Sequence, residues 1–353
     1  MPPPSPGPIP RAVSFLRRHP IVALVLLTPG IPEYLSGSSN LSGILWNPVV
    51  FGAFLLLNVG MYAPGALLIR EAMVRWRGGW GTVAVLGTAY AVMEEGIADA
   101  TFFNPHNPNV GVLGSYGHFL GTNWVWIPGV VMVHVVFSLA IPLFLFGLAF
   151  PDLRGRSLLV PWQIGLAAGI LTVDTAAIAA IGAGVLHWFD GWAVIAVCLV
   201  VIVALAGIAR RLPAGWPKAP TELPRLSPRR FFVLGLALFP AVAATPAILG
   251  AFGAPAPVAW GALVLLLGAF AGVLYRSVGR DHHRRHLLAF SAGAILPPAV
   301  LGVLGGLPVP VVLGADLLAY LFFRRLWRSV EADGPGPSTG TLSVRPNNLS
   351  GAG

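Results

Sequence analysis

The sequence predicts an all-α fold, a polytopic transmembrane helix bundle of about ten spans with its N and C termini in the cytoplasm. Hydrophobic residues make up 56% of the 353 residues, charged residues only 10%, and the mean hydropathy is +0.78. The 22 Lys and Arg residues also cluster at every second junction between apolar runs. Short loops rich in Lys and Arg stay in the cytoplasm during insertion, so this alternation predicts the topology as well as the class.

Apolar runs separated by short polar junctions are the predicted spans, and each can cross a hydrocarbon core of about 30 Å. The first run is short and contains Pro29, Pro32 and Glu33, so a re-entrant hairpin is the alternative. Removing one crossing would place the arginines of 70–77 outside, which the positive-inside rule disfavours. The predicted spans lie at about 20–38, 48–69, 81–97, 124–149, 159–187, 191–209, 231–252, 257–275, 287–304 and 307–323.

Composition divides the chain into four predicted parts. Residues 1–19 form a proline-rich cytoplasmic lead and residues 329–353 a Gly-, Pro-, Ser- and Asn-rich tail, both expected to be disordered. Residues 20–187 form a five-span half with several polar residues inside its spans. Residues 191–328 form a second five-span half, in whose spans Asp316 is the only such residue. No motif repeats between the halves, so the first half is expected to carry the chemistry and the second to support it.

The net charge of +9 and the pI near 10.7 do not indicate a nucleic-acid partner. The arginines are spaced between apolar spans, whereas a nucleic-acid-binding domain gathers them on one surface. They are predicted to fix topology and to contact an anionic leaflet, which makes the lipid bilayer the expected partner. The excess of Arg over Lys indicates a GC-rich bacterial genome, and hence a bacterial cytoplasmic membrane. Cys198 is the single cysteine, which excludes a disulfide or a Cys-based metal site within this chain.

Five ionisable side chains fall inside the first five spans, where a charged group facing lipid costs several kcal/mol. A helix rise of about 1.5 Å per residue places them all in the outer half of the membrane. We therefore expect them to converge on one outward-facing cavity. The predicted catalytic residues are Glu94, Glu95 and His134, which would act as a transport relay or as a general base. Glu33 and Asp174 are predicted to bind the transported ion or the substrate.

Four more polar residues are predicted to contribute to binding of the ion or substrate at or near this cavity. Asn58 lies on span two, and Asp99 follows the paired glutamates by about one helical turn. His106 and His118 lie in the longest outer loop, residues 99–123, whose Asn-Pro and Gly turns predict an ordered lid. The two histidines are either ligands or gates of the cavity, or ordinary surface residues.

Structural roles are the alternative for the same side chains. The paired glutamates can end a helix and be solvated, and the membrane histidine can bond a backbone carbonyl. Asp174 can pair with the hydroxyl of Thr172 or Thr175 and only join helices. Glu71 follows Arg70 at the cytoplasmic boundary and is predicted to form an interface ion pair.

A Glu-Glu pair on one span, followed by a histidine on the next, resembles the CPBP (CAAX-type) glutamic intramembrane proteases. That family has the motif EExxxR, then FxxxH. Glu94 and Glu95 match the first two positions, and Asp99 stands at the arginine position. His134 matches the histidine of the second motif, with Val130 at the position of the phenylalanine.

A third motif of that family has a further histidine followed four residues later by Asn or a similar residue. His187 lies at a suitable distance along the chain, with Gly191 at the Asn position. The resemblance covers spans three to five. It implies an intramembrane hydrolase in which one glutamate activates water and His134 helps to stabilise the oxyanion.

Three functions are compatible with these residues. A proton- or cation-coupled secondary transporter is favoured first, because clustered carboxylates and a histidine at membrane depth are typical of ion pathways. An intramembrane hydrolase would use the same acids as a general base. A scaffold or assembly factor would use them only to join helices. The chain has no ATP-binding loop, no Ser nucleophile motif and no HExxH, and its pattern leaves the substrate, any cofactor, any metal and the oligomeric state open.

Overall fold

A computed structural model describes residues 14–35, 47–217, 226–276, 284–304 and 309–332. Within these residues the protein is helical apart from its connections and one short hairpin, in which β1 (His118–Phe119) pairs antiparallel with β2 (Thr122–Asn123). The helices are α1 (Pro20–Leu35), α2 (Pro48–Arg75), α3 (Trp80–Met93, continued by Glu94–Ala98), α4 (Trp126–Ala149), α5 (Pro161–Leu186), α6 (Trp192–Arg211), α7 (Pro228–Ala251), α8 (Ala256–Tyr275), α9 (Arg284–Leu304) and α10 (Val309–Ala332).

The predicted all-α class is confirmed. Six of the described helices are long and apolar enough to cross a membrane, namely α2, α4, α5, α6, α7 and α8. Helix α1 is apolar but shorter. The membrane character that the composition predicts is therefore supported by these six helices.

Proline residues start several of these helices. Pro20, Pro48, Pro161 and Pro228 all lie in the first turn of their helices, where the missing N–H would have no helical partner and the fixed φ suits the helix. At α2 the Asn47 side chain also accepts hydrogen bonds from the next two free backbone N–H groups, at 3.1 and 3.2 Å. The sequence thus marks these helix starts locally.

Helix α4 lies between two hydrophobic clusters. One face packs with α7, α8, α9 and α10, and the other packs with α1, α2 and α3. In its most apolar window α4 is 61% buried and α2 is 50% buried, whereas α6 and α8 are each only 11% buried. Most of the α4 window and about half of the α2 window therefore face protein, whereas α6 and α8 present an apolar surface of the kind that lipid covers.

Helices α7 and α9 cross at two glycines. A Cβ on Gly235 would lie 2.1 Å from the carbonyl oxygen of Phe290, and one on Gly293 would lie 2.1 Å from that of Phe232. The two backbones can approach this closely only because both positions lack a side chain. Both crossing helices, α7 and α9, also pack in the hydrophobic cluster beside α4.

Within the described residues, three π-helical segments interrupt the regular helices. They are Gly30–Leu35 at the end of α1, Glu94–Ala98 at the end of α3, and Val133–Ala140 within α4. Each carries at least one of the acids or the histidine that the sequence predicts for the cavity. Such wide turns are rare and are frequent at functional sites, because they re-aim side chains out of the normal helical register.

Two predicted boundaries differ from the structure. Residues 14–18 form a short helix inside the predicted disordered lead, and α10 continues to Ala332, inside the predicted tail. In α10 the Trp327 indole donates to Glu331 at 2.8 Å, and Arg285 on α9 donates to the Glu331 carbonyl at 3.3 Å. These contacts hold the helix beyond the end of its apolar run. Residues 1–13 and 333–353 lie outside the described residues.

Candidate functional site

His134 on α4 and Glu95 on α3 form the centre of the candidate site. The Nε2 atom of His134 lies 2.7 Å from Oε1 of Glu95. The other carboxylate oxygen of Glu95 accepts a hydrogen bond from the hydroxyl of Thr101. Glu95 is 7% exposed and His134 is 2% exposed, so this pair lies in a low-dielectric interior where its interaction is strong.

Glu94 extends the site toward α1 and α2. Its Oε2 atom lies 3.3 Å from Nδ1 of His134, and its Oε1 atom lies 2.6 Å from the Tyr62 hydroxyl. The same hydroxyl lies 2.6 Å from Oε1 of Glu33. The side chains of four helices are therefore joined in the order Glu33, Tyr62, Glu94, His134, Glu95.

Two further residues support the imidazole of His134. The ring of Tyr90 packs edge-on against it, with 5.8 Å between ring centroids. The Ser138 hydroxyl lies 3.4 Å from Nδ1. Gly65 on α2 makes room for Tyr90, since a Cβ there would lie 2.5 Å from the tyrosine ring. The histidine is thus fixed by packing as well as by its two carboxylate neighbours.

The loop between α3 and α4 packs against the site. Thr101 belongs to this loop, and its hydroxyl accepts a hydrogen bond from the Trp126 indole at 3.0 Å while donating to Glu95. The backbone N–H of Asn123 donates to the Phe102 carbonyl at 2.8 Å. The loop is therefore fastened to a site glutamate, and its role as a lid stays a prediction.

Asp174 lies outside this cluster. Its Oδ1 atom would be 2.7 Å from a Cβ on Gly60, so the carboxyl packs against the α2 backbone. No hydrogen bond or ion pair among the described residues joins it to the glutamates or to His134, and its Oδ2 atom has no hydrogen-bond partner there. Thr172 and Thr175, the other predicted partners, donate to backbone carbonyls of their own helix.

The remaining predicted binding residues serve the local fold. The Asn58 side chain donates to the Phe54 carbonyl one turn earlier, at 2.9 Å. His118 Nε2 lies 3.0 Å from the Phe103 carbonyl, within the outer loop. His106 is exposed in the same loop. Neither histidine contacts the glutamates among the described residues. His187, the third-motif candidate, is exposed at the end of α5 in a left-handed conformation with φ of 49°.

Asp99 lines a small cavity beside the cluster, between the end of α3, α5 and the start of α6. Its backbone N–H donates to the Glu94 carbonyl at 2.8 Å. Asp190, from the connection between α5 and α6, lines the same cavity. Burial raises the pKa of the Asp190 carboxyl, and the hydrogen bond from the Trp188 indole opposes this shift. The other lining residues are mainly small and apolar.

A second buried carboxylate, Glu71, has a different environment. It is 2% exposed and accepts hydrogen bonds from Arg70 at 3.3 Å, from Arg75 at 3.0 Å and from the Leu158 backbone at 2.6 Å. Arg70 in turn donates to two backbone carbonyls of the loop after α4, at 2.7 and 2.9 Å. The predicted ion pair is thus present, but it lies inside the protein and fastens that loop to α2.

Five residues that contact the site were not among the predicted site residues, namely Tyr62, Tyr90, Thr101, Trp126 and Ser138. Tyr62 carried a partial signal, because it follows Asn58 by four residues on the same face of an apolar helix. Thr101 and Trp126 carried none, since a threonine in an outer loop and a tryptophan near a span end are common in membrane proteins. Only the folding of the loop back onto Glu95 brings them into the site.

The cluster can take up and release protons. Glu94 and Glu95 share one imidazole, and no Lys or Arg contacts either of them among the described residues. A carboxylate in hydrogen-bond reach of a reacting water or of a titrating partner can act as a general base. In the described part of the chain no group of three or more His, Cys, Asp or Glu side chains has the geometry to hold a metal ion.

Comparison with protein-family models, with curated proteins and with solved structures gives no match for this chain.

Proposed function

We propose that this protein is an intramembrane hydrolase that uses the glutamates and the histidine of α3 and α4, as in the CPBP proteases it resembles. The observation that carries this proposal is the placement of His134 between two buried carboxylates, 2.7 Å from Glu95 and 3.3 Å from Glu94. A histidine held between a base and an orienting carboxylate is the arrangement that acid–base hydrolysis requires.

The contacts divide the roles within the site. Oε2 of Glu94 is buried and accepts no hydrogen bond in the described chain, and its contact with Nδ1 of His134 is long, at 3.3 Å, so we assign to it the role of taking a proton from a water molecule. The oxygen of that water would attack the carbonyl carbon of a membrane substrate to give a tetrahedral intermediate. The bond to the leaving group would then break, and the proton taken up by Glu94 would pass to the leaving group. Glu95 holds the imidazole in place from the other side, and Thr101 holds Glu95. His134 would then donate a hydrogen bond to the oxyanion as it forms.

The proposal includes a location and a topology. The chain crosses a bacterial cytoplasmic membrane ten times with both termini in the cytoplasm, and the site opens toward the outer face. The support is the absence of Lys and Arg from the predicted outer junctions. Cysteine labelling from outside should reach positions in 99–123 and should not reach 210–230. The opposite pattern would contradict this topology.

The decisive experiment uses the purified full-length protein in proteoliposomes with a library of membrane-embedded peptides and acyl lipids. We expect cleavage by the wild type and a loss of about 10²- to 10⁴-fold in the Glu94→Gln and Glu95→Gln variants. Thermal unfolding in detergent should show that both variants remain folded. Asp174→Asn, a carboxyl outside the cluster, is the matched control. A double Gln variant that complements a deletion strain as well as the wild type would contradict a chemical role for both glutamates.

Proton- or cation-coupled transport is the second candidate function, and a specific observation favours it. Glu94 and Glu95 share a single imidazole, so the cluster balances its charge by holding a proton or a cation. A carrier would produce a flux across proteoliposomes that depends on both glutamates, without any cleavage product. Absence of both cleavage and flux would leave the third function, a scaffold whose polar residues join helices.

A further inference from the structure

The hairpin of β1 and β2 has one face that bonds to the protein and one that is exposed. On the first face, His118 Nε2 lies 3.0 Å from the Phe103 carbonyl oxygen. Its cross-strand partner Asn123 donates from its side chain to the Leu113 carbonyl at 2.5 Å. Successive side chains of a strand point to opposite faces, so these bonds direct Phe119 away from the protein. Phe119 is accordingly 64% exposed.

The tip of the hairpin carries an apolar residue in a backbone conformation that does not favour it. Leu120 and Gly121 form the two-residue turn, with φ of 50° and 72°. Positive φ at both positions defines a type I′ turn, whose first position favours Asn, Asp or Gly. Leu120 is 82% exposed, so packing within the protein does not explain a leucine there. An apolar contact outside the chain would explain it.

The hairpin lies at one end of the helix bundle. Its second strand leads into α4, and the Tyr116 hydroxyl, from the same loop, donates to the Ala254 carbonyl between α7 and α8 at 2.9 Å. Helices α4, α7 and α8 are all long and apolar enough to cross a membrane. The hairpin is therefore near the level at which these helices would leave the hydrocarbon core.

The composition around the tip is that of a lipid interface. Residues 100–125 contain no Lys, Arg, Asp or Glu. The exposed Trp124 donates from its indole to the Phe119 carbonyl at 3.1 Å, which places an amphipathic ring beside the tip. Tryptophan is enriched where hydrocarbon meets the headgroups, because its ring is apolar and its N–H is polar. Phe252, in the connection that Tyr116 contacts, is exposed as well.

We propose that the tip of this hairpin, Phe119 and Leu120, inserts into the lipid interface around α4, α7 and α8. Lipid then supplies the apolar contact that Leu120 lacks within the protein. The Asn123 N–H bonds the Phe102 carbonyl, next to the threonine that holds Glu95, so the lipid contact is joined to the candidate site through the backbone. Such a contact goes beyond the proposed function, since it requires neither hydrolysis nor transport.

Fluorescence quenching in proteoliposomes of the full-length protein tests the insertion. A label on Thr122→Cys, in a Cys198→Ala background, lies across the hairpin from Phe119 and leaves both tip residues in place. Brominated lipids quench a fluorophore in the membrane, whereas iodide on both sides of the vesicle quenches one in water. We expect quenching mainly by the brominated lipids. Asn109→Cys, an exposed polar position of the same loop, is the matched control and should be quenched mainly by iodide.

A double variant tests whether the two tip residues cause the insertion. Phe119→Thr suits a strand and Leu120→Asn suits the type I′ turn, so the hairpin should stay folded while its apolar groups are removed. The label at position 122 should then lose most of its quenching by brominated lipids and become accessible to iodide. Retained lipid quenching in the double variant would show that these residues do not hold the hairpin in the lipid, and would overturn the proposal.

Two other outcomes would also overturn it. Equal quenching of the labels at 109 and 122, by either quencher, would mean that the tip has no lipid contact of its own. A label at 122 that neither quencher reaches would place the tip against protein, such as a second copy of the chain. These readouts do not depend on activity, so failure of the lipid contact is distinct from failure of the hydrolase proposal.

Discussion

Glu71 on α2 and the pair of Glu94 and Glu95 on α3 are all buried carboxylates, but they differ in the charge of their neighbours. Glu71, near the C-terminal end of α2, accepts hydrogen bonds from two arginines, a serine and two backbone N–H groups. Glu94 and Glu95, at the end of α3, share one histidine and are otherwise bonded to hydroxyl groups. Both sites are removed from water, but only the first has fixed positive charge beside it.

The difference separates an acid held by fixed positive charges from the two acids to which we assign the chemistry. Arginine stays charged at all accessible pH values, so the Glu71 network has one stable protonation state. The charge of a histidine depends on its protonation, so the α3 cluster has no permanent counter-charge. The first arrangement fastens a loop, and the second leaves its charge adjustable. Each prediction below would break or sharpen this contrast.

The largest effect on folding is expected at Glu71. Replacing it in Glu71→Gln leaves the buried Arg70 guanidinium without its counter-charge, which typically costs about 3–5 kcal/mol in the free energy of unfolding. Chemical unfolding in mixed micelles measures this cost. Glu94→Gln, the same substitution in the α3 cluster, should leave the stability unchanged or raise it, because it removes one of two like charges.

Asp152→Asn is the control for Glu71, since Asp152 is an exposed acid in the loop that Glu71 anchors. Its effect should stay within about 0.5 kcal/mol. If Glu71→Gln unfolds at the same denaturant concentration as Asp152→Asn, the network contributes no stability. The proposed contrast between the two carboxylate groups would then be wrong.

A smaller effect, on activity, is expected at Thr101. Thr101→Val keeps the shape of the side chain but removes the hydroxyl between Trp126 and Glu95. A hydrogen bond to a charged group contributes about 1.5–3 kcal/mol, so the rate should fall by roughly one to two powers of ten. Thr101→Ser restores the hydroxyl and should recover most of the rate. Equal rates in the Val and Ser variants would show that the loop does not position Glu95.

The smallest effect is expected at the crossing of α7 and α9, far from both carboxylate groups. Gly235→Ala inserts a methyl group where a Cβ would lie 2.1 Å from the Phe290 carbonyl oxygen, and should destabilise the protein by about 1–3 kcal/mol. Gly261→Ala on α8 is the control, because no atom lies within 4 Å of its Cβ position. Thermal unfolding compares the two. A large loss of activity per folded molecule in Gly235→Ala would mean that helices α7 and α9 do more than support the site.

Much of the helical framework could be predicted from the sequence, because apolar length and proline position act locally. The span predicted at about 159–187 is α5, Pro161–Leu186, and its first turn begins at a proline. Helix α2 was harder to delimit. The predicted span ends at about residue 69, where charges begin, but the helix continues to Arg75 because Arg70 and Glu71 are buried against the loop after α4.

The site could be predicted only in part. The cost of a charge in lipid selected Glu33, Glu94, Glu95 and His134, and the structure brings these four together. The same argument selected Asp174, which is packed against Gly60 instead. Depth in the membrane is set by position along a helix, whereas direction is set by the rotation of that helix against its neighbours. The sequence encodes the first quantity locally and the second only through tertiary packing.

By itself, the sequence determined the all-α class, the apolar helices and the residues that cannot face lipid, because hydropathy and charge act residue by residue. Only the tertiary structure decided which of those residues meet. The wide turns at Glu33, Glu94 and His134 re-aim their side chains, Tyr62 joins two carboxyl groups, and the outer loop brings Thr101 to Glu95. These contacts span as many as 39 residues along the chain, and such contacts depend on how the helices pack rather than on any local pattern.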